Sequence, residues 1–474
     1  MTDRELAGSA SRFACRRGLQ VSLLCLVACT SAEPQRSAAS TPVLTQSASG
    51  TRTSPAAPAP APAPVNVEPA PAVPPVVRVT NPRVADALRY DPADPLANLE
   101  SADSLDRPAR GKKSQVPARG CAIEDDPRPV WSEPGIANVA AMGQDFIVAG
   151  YTSRAQDERL FVVRVTAGGK LEPIATEVVA ARHPVERVAG PGLAADSAQG
   201  VTVAFTDGRG KLMVQHLRGA SRGAAATLTL GEGVDTRFEP AVAYAKRGAL
   251  IAYTIGSTPM RSTLARLDES GALIATHDIT PAAMGAAAPA FVSGASPPML
   301  VTADARNGMS PIARVSLDAE GKPGTPEVAV PVGMMSTPPE LAAAQSGAGT
   351  FVGYTGVGSA ATSAVGLVRV LPKVGTPEPL VKGTAYGALH LDAAASPQAV
   401  FFAVDAPLTA GKSPKHEIHV VRVDARGSGP ILRIAAASGD ATHAALARAP
   451  DGTLALVFSA ADGVYFTKLR CAVD

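Results

Sequence analysis

Four short stretches of this 474-residue chain carry residue types that could do chemistry. Ala406-Pro-Leu-Thr-Ala-Gly411-Lys412-Ser413 has the spacing of a phosphate-binding loop and follows an apolar run, Phe401-Phe-Ala-Val404. Phosphate binding there needs a helix directly after the loop, whose free amides and dipole meet the anion. Ser413 is followed instead by Pro414 and a strand pattern, Ile418-His-Val-Val-Arg-Val423, so the stretch reads as a loop between strands. Gly219-Ala-Ser221-Arg-Gly223 has the spacing of a nucleophile elbow, which also requires a following helix. Thr227-Leu-Thr-Leu230 is again a strand pattern, and Gly and Ser are ordinary turn residues. His416 and His419 are the closest histidine pair, but three apart on a strand they face opposite ways, with no third ligand clustered nearby. Glu124-Asp125-Asp126 reads as a solvated turn. These stretches therefore yield no catalytic residue, no cofactor-binding residue and no metal ligand.

Cysteine offers more. Three of the five cysteines, Cys15, Cys25 and Cys29, lie near the start, and Cys121 and Cys471 lie far apart in the rest of the chain. Arg16 and Arg17 precede about ten mostly apolar residues that end in Leu26-Val27-Ala28-Cys29. A positive region, a short apolar core and small residues form the layout of an export signal. The ending resembles the bacterial lipobox, which implies cleavage before Cys29, lipidation of its thiol and attachment to a membrane through that anchor. Thr30 is not the aspartate that retains enterobacterial lipoproteins at the inner membrane, so the resemblance favours the outer membrane, facing the periplasm or the cell surface. With Cys15 and Cys25 removed and Cys29 lipidated, Cys121 and Cys471 remain as one pair in an oxidising compartment.

The elements that position these residues come from a repeat. An apolar residue in a short Ala-rich run recurs at Val139, Leu193, Val242, Phe291, Leu341, Leu391 and Leu446, at steps of 49 to 55 residues. A second apolar run ends 11 to 13 residues later, at Tyr151, Phe205, Tyr253, Thr302, Tyr354, Val404 and Phe458. A third alternates apolar and polar residues, as in Leu264-Ala-Arg266-Leu and Leu367-Val-Arg369-Val, and a weaker fourth follows a Gly-bearing turn. Period-two alternation is that of half-buried strands, and four strands at a period near 50 make one propeller blade. The column Arg164, Arg266, Arg369 and Arg422 is expected to lay its aliphatic stems over neighbouring strands and keep its charged heads in water. The seventh repeat stops too early for a fourth strand. Cys121 to Trp131 would supply it from the N-terminal side, setting Cys121 opposite Cys471 in a disulfide across the seam.

This pattern resembles a group of secreted bacterial proteins and lipoproteins with repeats of about 50 residues. Their repeats have a Pro-x-apolar-Ala opening, an apolar strand ending in an aromatic, and an apolar-Arg-Val strand before a Gly turn. Pro240-Ala-Val-Ala243, Ile251-Ala-Tyr253, Leu264-Ala-Arg266-Leu and Gly271 carry the likeness here. That group often closes the second strand with Trp-x-Asp, whereas this chain has Gly-Tyr-Thr, Ala-Phe-Thr or Ala-Tyr-Thr. The resemblance implies a fold and export, and no activity.

The expected organisation is a signal peptide at 1–28, then lipidated Cys29 and a disordered Pro/Ala/Ser-rich tether at 29–118. An all-β, seven-bladed β-propeller of four-stranded blades follows at 119–474, closed by its N-terminal strand and monomeric. Acidic and basic residues nearly balance at net charge +2, which recommends no nucleic acid partner. Aromatic residues at 4% weaken readings that need sugar- or base-stacking platforms. First-strand runs of Ala, Leu and Val favour a non-enzymatic binding or scaffolding module, with a protein or envelope polymer as partner and no cofactor. The alternative is a hydrolase or lyase acting on an envelope polysaccharide or a small molecule. The polar exceptions in those runs are Asn138, Asp196, Glu340, His390 and Asp392. Glu340, His390 and Asp392 meeting at one channel mouth would instead mark a site.

Overall fold

The computed structural model of the protein describes residues 116–472, apart from connecting stretches at 155–156, 180–188, 208, 218–226, 257–258, 283–284, 305–309, 333–339, 356–364, 381–389, 408–415 and 437–439, together with Val76–Val79. The signal peptide, Cys29, most of the tether, the Gly411-Lys412-Ser413 stretch and the Ser221 elbow lie outside the described residues.

Every regular element among the described residues is a strand. Three come before the first full sheet: β1 (Val76–Val79), β2 (Cys121–Ile123) and β3 (Arg128–Trp131). Four-stranded antiparallel groups then follow in chain order. The first is β4 (Gly135–Met142), β5 (Asp145–Arg154), β6 (Asp157–Val165) and β7 (Leu171–Val179). The second is β8 (Gly192–Asp196), β9 (Gly200–Thr206), β10 (Leu212–Leu217) and β11 (Thr227–Gly231). Next come β12 (Ala241–Tyr244), β13 (Ala249–Ile255), β14 (Arg261–Leu267) and β15 (Leu273–Asp278). After them lie β16 (Ala287–Ser293), β17 (Met299–Ala303), β18 (Ser310–Ser316) and β19 (Glu327–Val332). These join, through a short parallel pairing of β16 with β20, to β20 (Leu341–Ser346), β21 (Gly349–Thr355), β22 (Val365–Leu371) and β23 (Glu378–Pro379). Then come β24 (Leu391–Ala395), β25 (Val400–Pro407), β26 (His416–Asp424) and β27 (Gly427–Ala436). Last are β28 (Thr442–Arg448), β29 (Leu454–Ala460) and β30 (Gly463–Cys471), completed by β2 on the outer edge of β30.

The first strand of each group touches the first strand of the next, from β4 through β8, β12, β16, β20 and β24 to β28, and β28 returns to β4. Sheets that run outward from such a ring form a β-propeller. The core is correspondingly divided into clusters that straddle neighbouring sheets. Ile147, Ala149 and Tyr151 pack with Val201, Val203 and Phe205, while the alternate residues Phe146 and Val148 pack with Val457 and Phe466. A strand buried on both faces has no polar side to alternate with, which is why the second runs read as nearly continuous apolar sequence.

The closing seam is where the sequence places it. Cys121 lies directly opposite Cys471 in the antiparallel β2–β30 pair, and the two are disulfide-bonded. β3 pairs with the other end of β30, so two short strands together do the work of one outer strand. Trp131, 1% exposed, stacks on Phe161 with ring centroids 4.4 Å apart, tying this segment to the first sheet. Within the stretch expected as tether, β1 pairs in parallel with β27.

The basic column differs from its expectation at one position. Arg422 is 1% exposed, with its head on Asp424 at 2.7 Å rather than in water. Arg266 donates to the Glu320 carbonyl of the next sheet at 2.7 Å, and Lys468 donates to the Ala167 carbonyl at 2.8 Å. The heads of Arg266 and Lys468 thus staple neighbouring sheets.

Candidate functional site

The ring of first strands surrounds an open-mouthed cavity of about 370 Å³, lined by residues of β4, β8, β12, β16, β20, β24 and β28. Its wall is mostly Ala, Val, Leu and Pro, with Phe238, Tyr244 and Phe291. Polar side chains gather where the first strands begin: Asn138, Glu239, Glu340, His390 and Asp392. Glu340, His390 and Asp392 do therefore meet at one channel mouth, against the expectation of a bland axis. Asp196 does not join them. Its Oδ1 accepts the Ala198 and Gln199 amides at 2.8 Å and shapes the turn into β9.

Backbone register explains the gathering. Leu341 and Leu391 pair with the strand-ending residues Tyr354 and Val404, whereas Val242 pairs with Ile251, two residues before Tyr253. The apolar column that marks the repeat in sequence thus slides by two residues between sheets. Measured from the end of the second strand, Glu340 is level with Thr355 and His390 with Asp405. Carrying the β12 register two residues further sets Glu239 level with Thr254. One structural position in three sheets therefore supplies Glu239, Glu340 and His390. The sequence reading missed Glu239, because it lies three residues before Val242. Alignment on the Tyr-Thr ending would have found it.

These positions are held from behind. The Glu340 amide donates to Thr355 Oγ1 at 2.9 Å, and the His390 amide donates to Asp405 Oδ1 at 2.9 Å. Asp405, fully buried, also accepts the His443 amide on Oδ2 at 3.0 Å. Asp392 accepts the Ala393 amide on one oxygen and the Leu446 amide on the other, both at 2.7 Å, joining β24 to β28. Asn138 donates to the Pro191 carbonyl at 2.8 Å and to Glu239 Oε1 at 2.5 Å, joining three sheets. Among the described residues the Glu340 carboxyl accepts no hydrogen bond. His390 Nδ1, a buried nitrogen without a hydrogen-bond partner, lies 3.8 Å from Glu340 Oε2.

Electrostatics follow from this burial. Burial pushes the Glu239 carboxyl up to about 8, helped by nearby Asp392 and opposed by hydrogen bonds from Asn138 and the Gly190 backbone. Glu340 is held well above the usual carboxyl range, first by burial and then by Glu239 and Asp405. Burial raises Asp392 to about 6 against its two amide donors, and lowers His390 to about 3 with His443 adding to the effect. Burial thus favours a protonated Glu239 and a neutral His390 imidazole at neutral pH, shifts Glu340 toward its protonated form, and leaves Asp392 to ionise before Glu239. Such a set can donate and accept hydrogen bonds, and it can exchange protons with a bound molecule. Among the described residues, no Lys or Arg lines the cavity.

The other motif residues stay apart from this site. His416 and His419 both lie in buried β26, with His419 Nε2 3.7 Å from Glu417 Oε2. Among the described residues, no group of three or more His, Cys, Asp or Glu is gathered closely enough to hold a metal ion. The strands flanking the Gly-Lys-Ser stretch, β25 and β26, are antiparallel neighbours, as are β10 and β11 around Ser221. No described helix is long and apolar enough to cross a membrane.

No family model and no curated protein matches the chain. Among solved structures it is similar to the β-propeller domain of the Trilobed protease from Pyrococcus furiosus, at 10% identity and a TM-score of 0.37, over 72% of this chain and 99% of that one. It is similar to a variant of NanB sialidase from Streptococcus pneumoniae at 9% identity and a TM-score of 0.39, over 72% and 68% of the two chains. An α-L-arabinofuranosidase from Podospora anserina gives 12% identity and a TM-score of 0.31 over 49% and 89%.

Proposed function

We propose that this protein is a lipid-anchored, exported seven-bladed propeller that binds a small molecule in its central channel. The observation that carries the reading is the convergence of Glu239, Glu340, His390 and Asp392 in one cavity of about 370 Å³. Buried ionisable groups cost stability unless they are paired, so a cluster on an otherwise aliphatic axis calls for a functional reason. The volume lies within the range of small-ligand pockets, roughly 300–1,000 Å³. Anchoring at Cys29 in the outer membrane and a Pro/Ala-rich tether would present this channel away from the bilayer. The Cys121–Cys471 disulfide supports an oxidising, exported location.

The test is retention. Full-length protein extracted from membranes is exposed to a dialysed small-molecule extract and examined by native mass spectrometry. A retained mass that Glu340→Gln weakens supports the reading. An empty channel across extracts, with a protein partner captured by cross-linking, returns the scaffold reading. A Cys29→Ser variant recovered in the soluble rather than the membrane fraction tests the anchor separately.

A second reading has its own observation. Burial holds Glu239 protonated to about pH 8 beside Asp392, which ionises near 6, and two carboxyls driven apart in this way are an acid and a base. A hydrolase would turn over what the channel retains, and the Glu239→Gln variant would bind without turnover.

A further inference from the structure

We infer that the channel mouth takes a small organic cation, with its ammonium group among Glu239, Glu340 and Asp392 and its alkyl part against Phe238 and Phe291. This rests on the channel being a ligand site. Among the described residues three carboxyls line the cavity and no Lys or Arg does, so no described basic side chain in the wall pairs with them. A neutral ligand leaves Glu239 and Glu340 favouring their protonated forms, whereas a cation beside them favours the ionised carboxylates. The carboxyls are not gathered at metal-ligating distance, so a point-like ion would leave some of them unmet. An ammonium with alkyl substituents is large enough to face several carboxyls at once.

Two further features point the same way. His390, 5% exposed, lines the cavity with a partnerless Nδ1, and burial with His443 beside it keeps the ring neutral, so it adds no positive charge. A neutral imidazole there serves as hydrogen-bond donor or acceptor toward a ligand. Aromatic residues are only 4% of the chain, yet Phe238 and Phe291 stand in the cavity wall, and aromatic faces attract alkylammonium groups.

Among the described residues, the charged and titratable groups around the mouth are Glu239 ahead of β12, Glu340 ahead of β20, His390 and Asp392 at β24, Asp405 on β25 and His443 on β28. A cation bound here draws a proton off Glu239 or Glu340, so its affinity rises with pH, by at most about tenfold per unit, until that carboxyl is ionised without it. The experiment is calorimetry on the full-length protein with choline, ethanolamine and the neutral carbon isostere of choline, from about pH 6 to about pH 8.5. The expected result is binding of an ammonium probe at least about tenfold tighter than its isostere, tighter at higher pH, with proton release read from buffer-dependent heats. Glu239→Gln and Glu340→Gln are each expected to weaken it by about tenfold or more while their circular dichroism stays that of the parent. Equal binding of choline and its isostere, or affinity that does not change with pH, overturns the cation and leaves the channel as a site for a neutral ligand. Absence of binding by every ammonium probe, with a retained mass still seen from extracts, overturns it in the same way. Absence of both fails the channel reading itself.

Discussion

Glu239 is a residue that costs the fold stability as pH rises. Its folded carboxyl keeps a proton up to about pH 8, whereas an unfolded chain releases it near 4.5. The folded state therefore binds more protons across that window, and stability falls as pH rises through it. The full contribution is present below about 4.5 and is lost above about 8. Glu239→Gln keeps an oxygen for Asn138 and removes the titration. In dialysed protein the variant is expected to melt with the parent near the acid end of this window and several degrees above it at the alkaline end. Melting curves that stay parallel across the range would show that Glu239 titrates normally. Asp424 carries the opposite sign. Hydrogen bonds from Arg119 hold its carboxyl far below the usual range, so its contribution is present at neutral pH and lost only in strong acid. One carboxyl is thus spent on holding the chain together near the seam, and the other is retained at a cost where a ligand would sit.

At the scale of the element, the strands were readable and their register was not. Alternation and near-continuous apolar runs report which faces are buried, and they gave the strand-to-strand order correctly because each run packs between two sheets. Register can slide by two residues, as between β12 and β20, or shift at a bulge, and either change leaves the apolar pattern intact. The first strands shift between Ala287 and Ala290 and between Thr442 and Ala445, where Ala288 and His443 adopt φ of 50° and 53°. Each of these bulged residues gives its amide to the end of the preceding second strand, Ala288 to Thr254 Oγ1 at 3.2 Å and His443 to Asp405 Oδ2 at 3.0 Å. Thr254 and Thr355 of the Tyr-Thr endings, which look in sequence like a mere departure from Trp-x-Asp, are therefore backbone acceptors, and Asp405 takes the same part in its own sheet. Asp405→Ala leaves the His390 and His443 amides without that acceptor, at an expected cost of about 2–5 kcal/mol by urea unfolding. Asp405→Asn keeps one oxygen and should lose about half as much. A loss under about 1 kcal/mol for Asp405→Ala would mean that water replaces the carboxylate. Close approach of first strands sets a second limit. A Cβ on Gly192 would lie 1.9 Å from the Pro240 carbonyl oxygen of the next sheet, so Gly192→Ala forces backbone apart and should cost about 3 kcal/mol or more.

For the whole molecule, the ring has to be closed by residues 350 apart in sequence. Two kinds of interaction do this. One is covalent, the Cys121–Cys471 bond. The other is the seam itself: β2 and β3 on β30, the Trp131–Phe161 stack, and Arg119 bridging to Asp424 at 2.7 Å. Loop entropy assigns a cross-link of this span about 5–6 kcal/mol, acting on the unfolded chain rather than on any folded contact. The two therefore separate by experiment. Cys121→Ser with Cys471→Ser should fold, because the seam retains its strand pairing and its apolar cluster. It should keep channel binding, because the channel is lined by first strands while the cysteines sit at the outer edge of the last sheet. It should nonetheless unfold at clearly lower urea than the parent, and the parent with reductant should match it. Trp131→Ala acts on the other term. It should cost about 3–5 kcal/mol with the disulfide intact, since a fully buried aromatic and its stack are lost together. Were the serine variant to unfold at the parent's urea midpoint, residual structure in the reduced unfolded chain would already hold the ends together, and Trp131 with β2 and β3 would be the closure that matters.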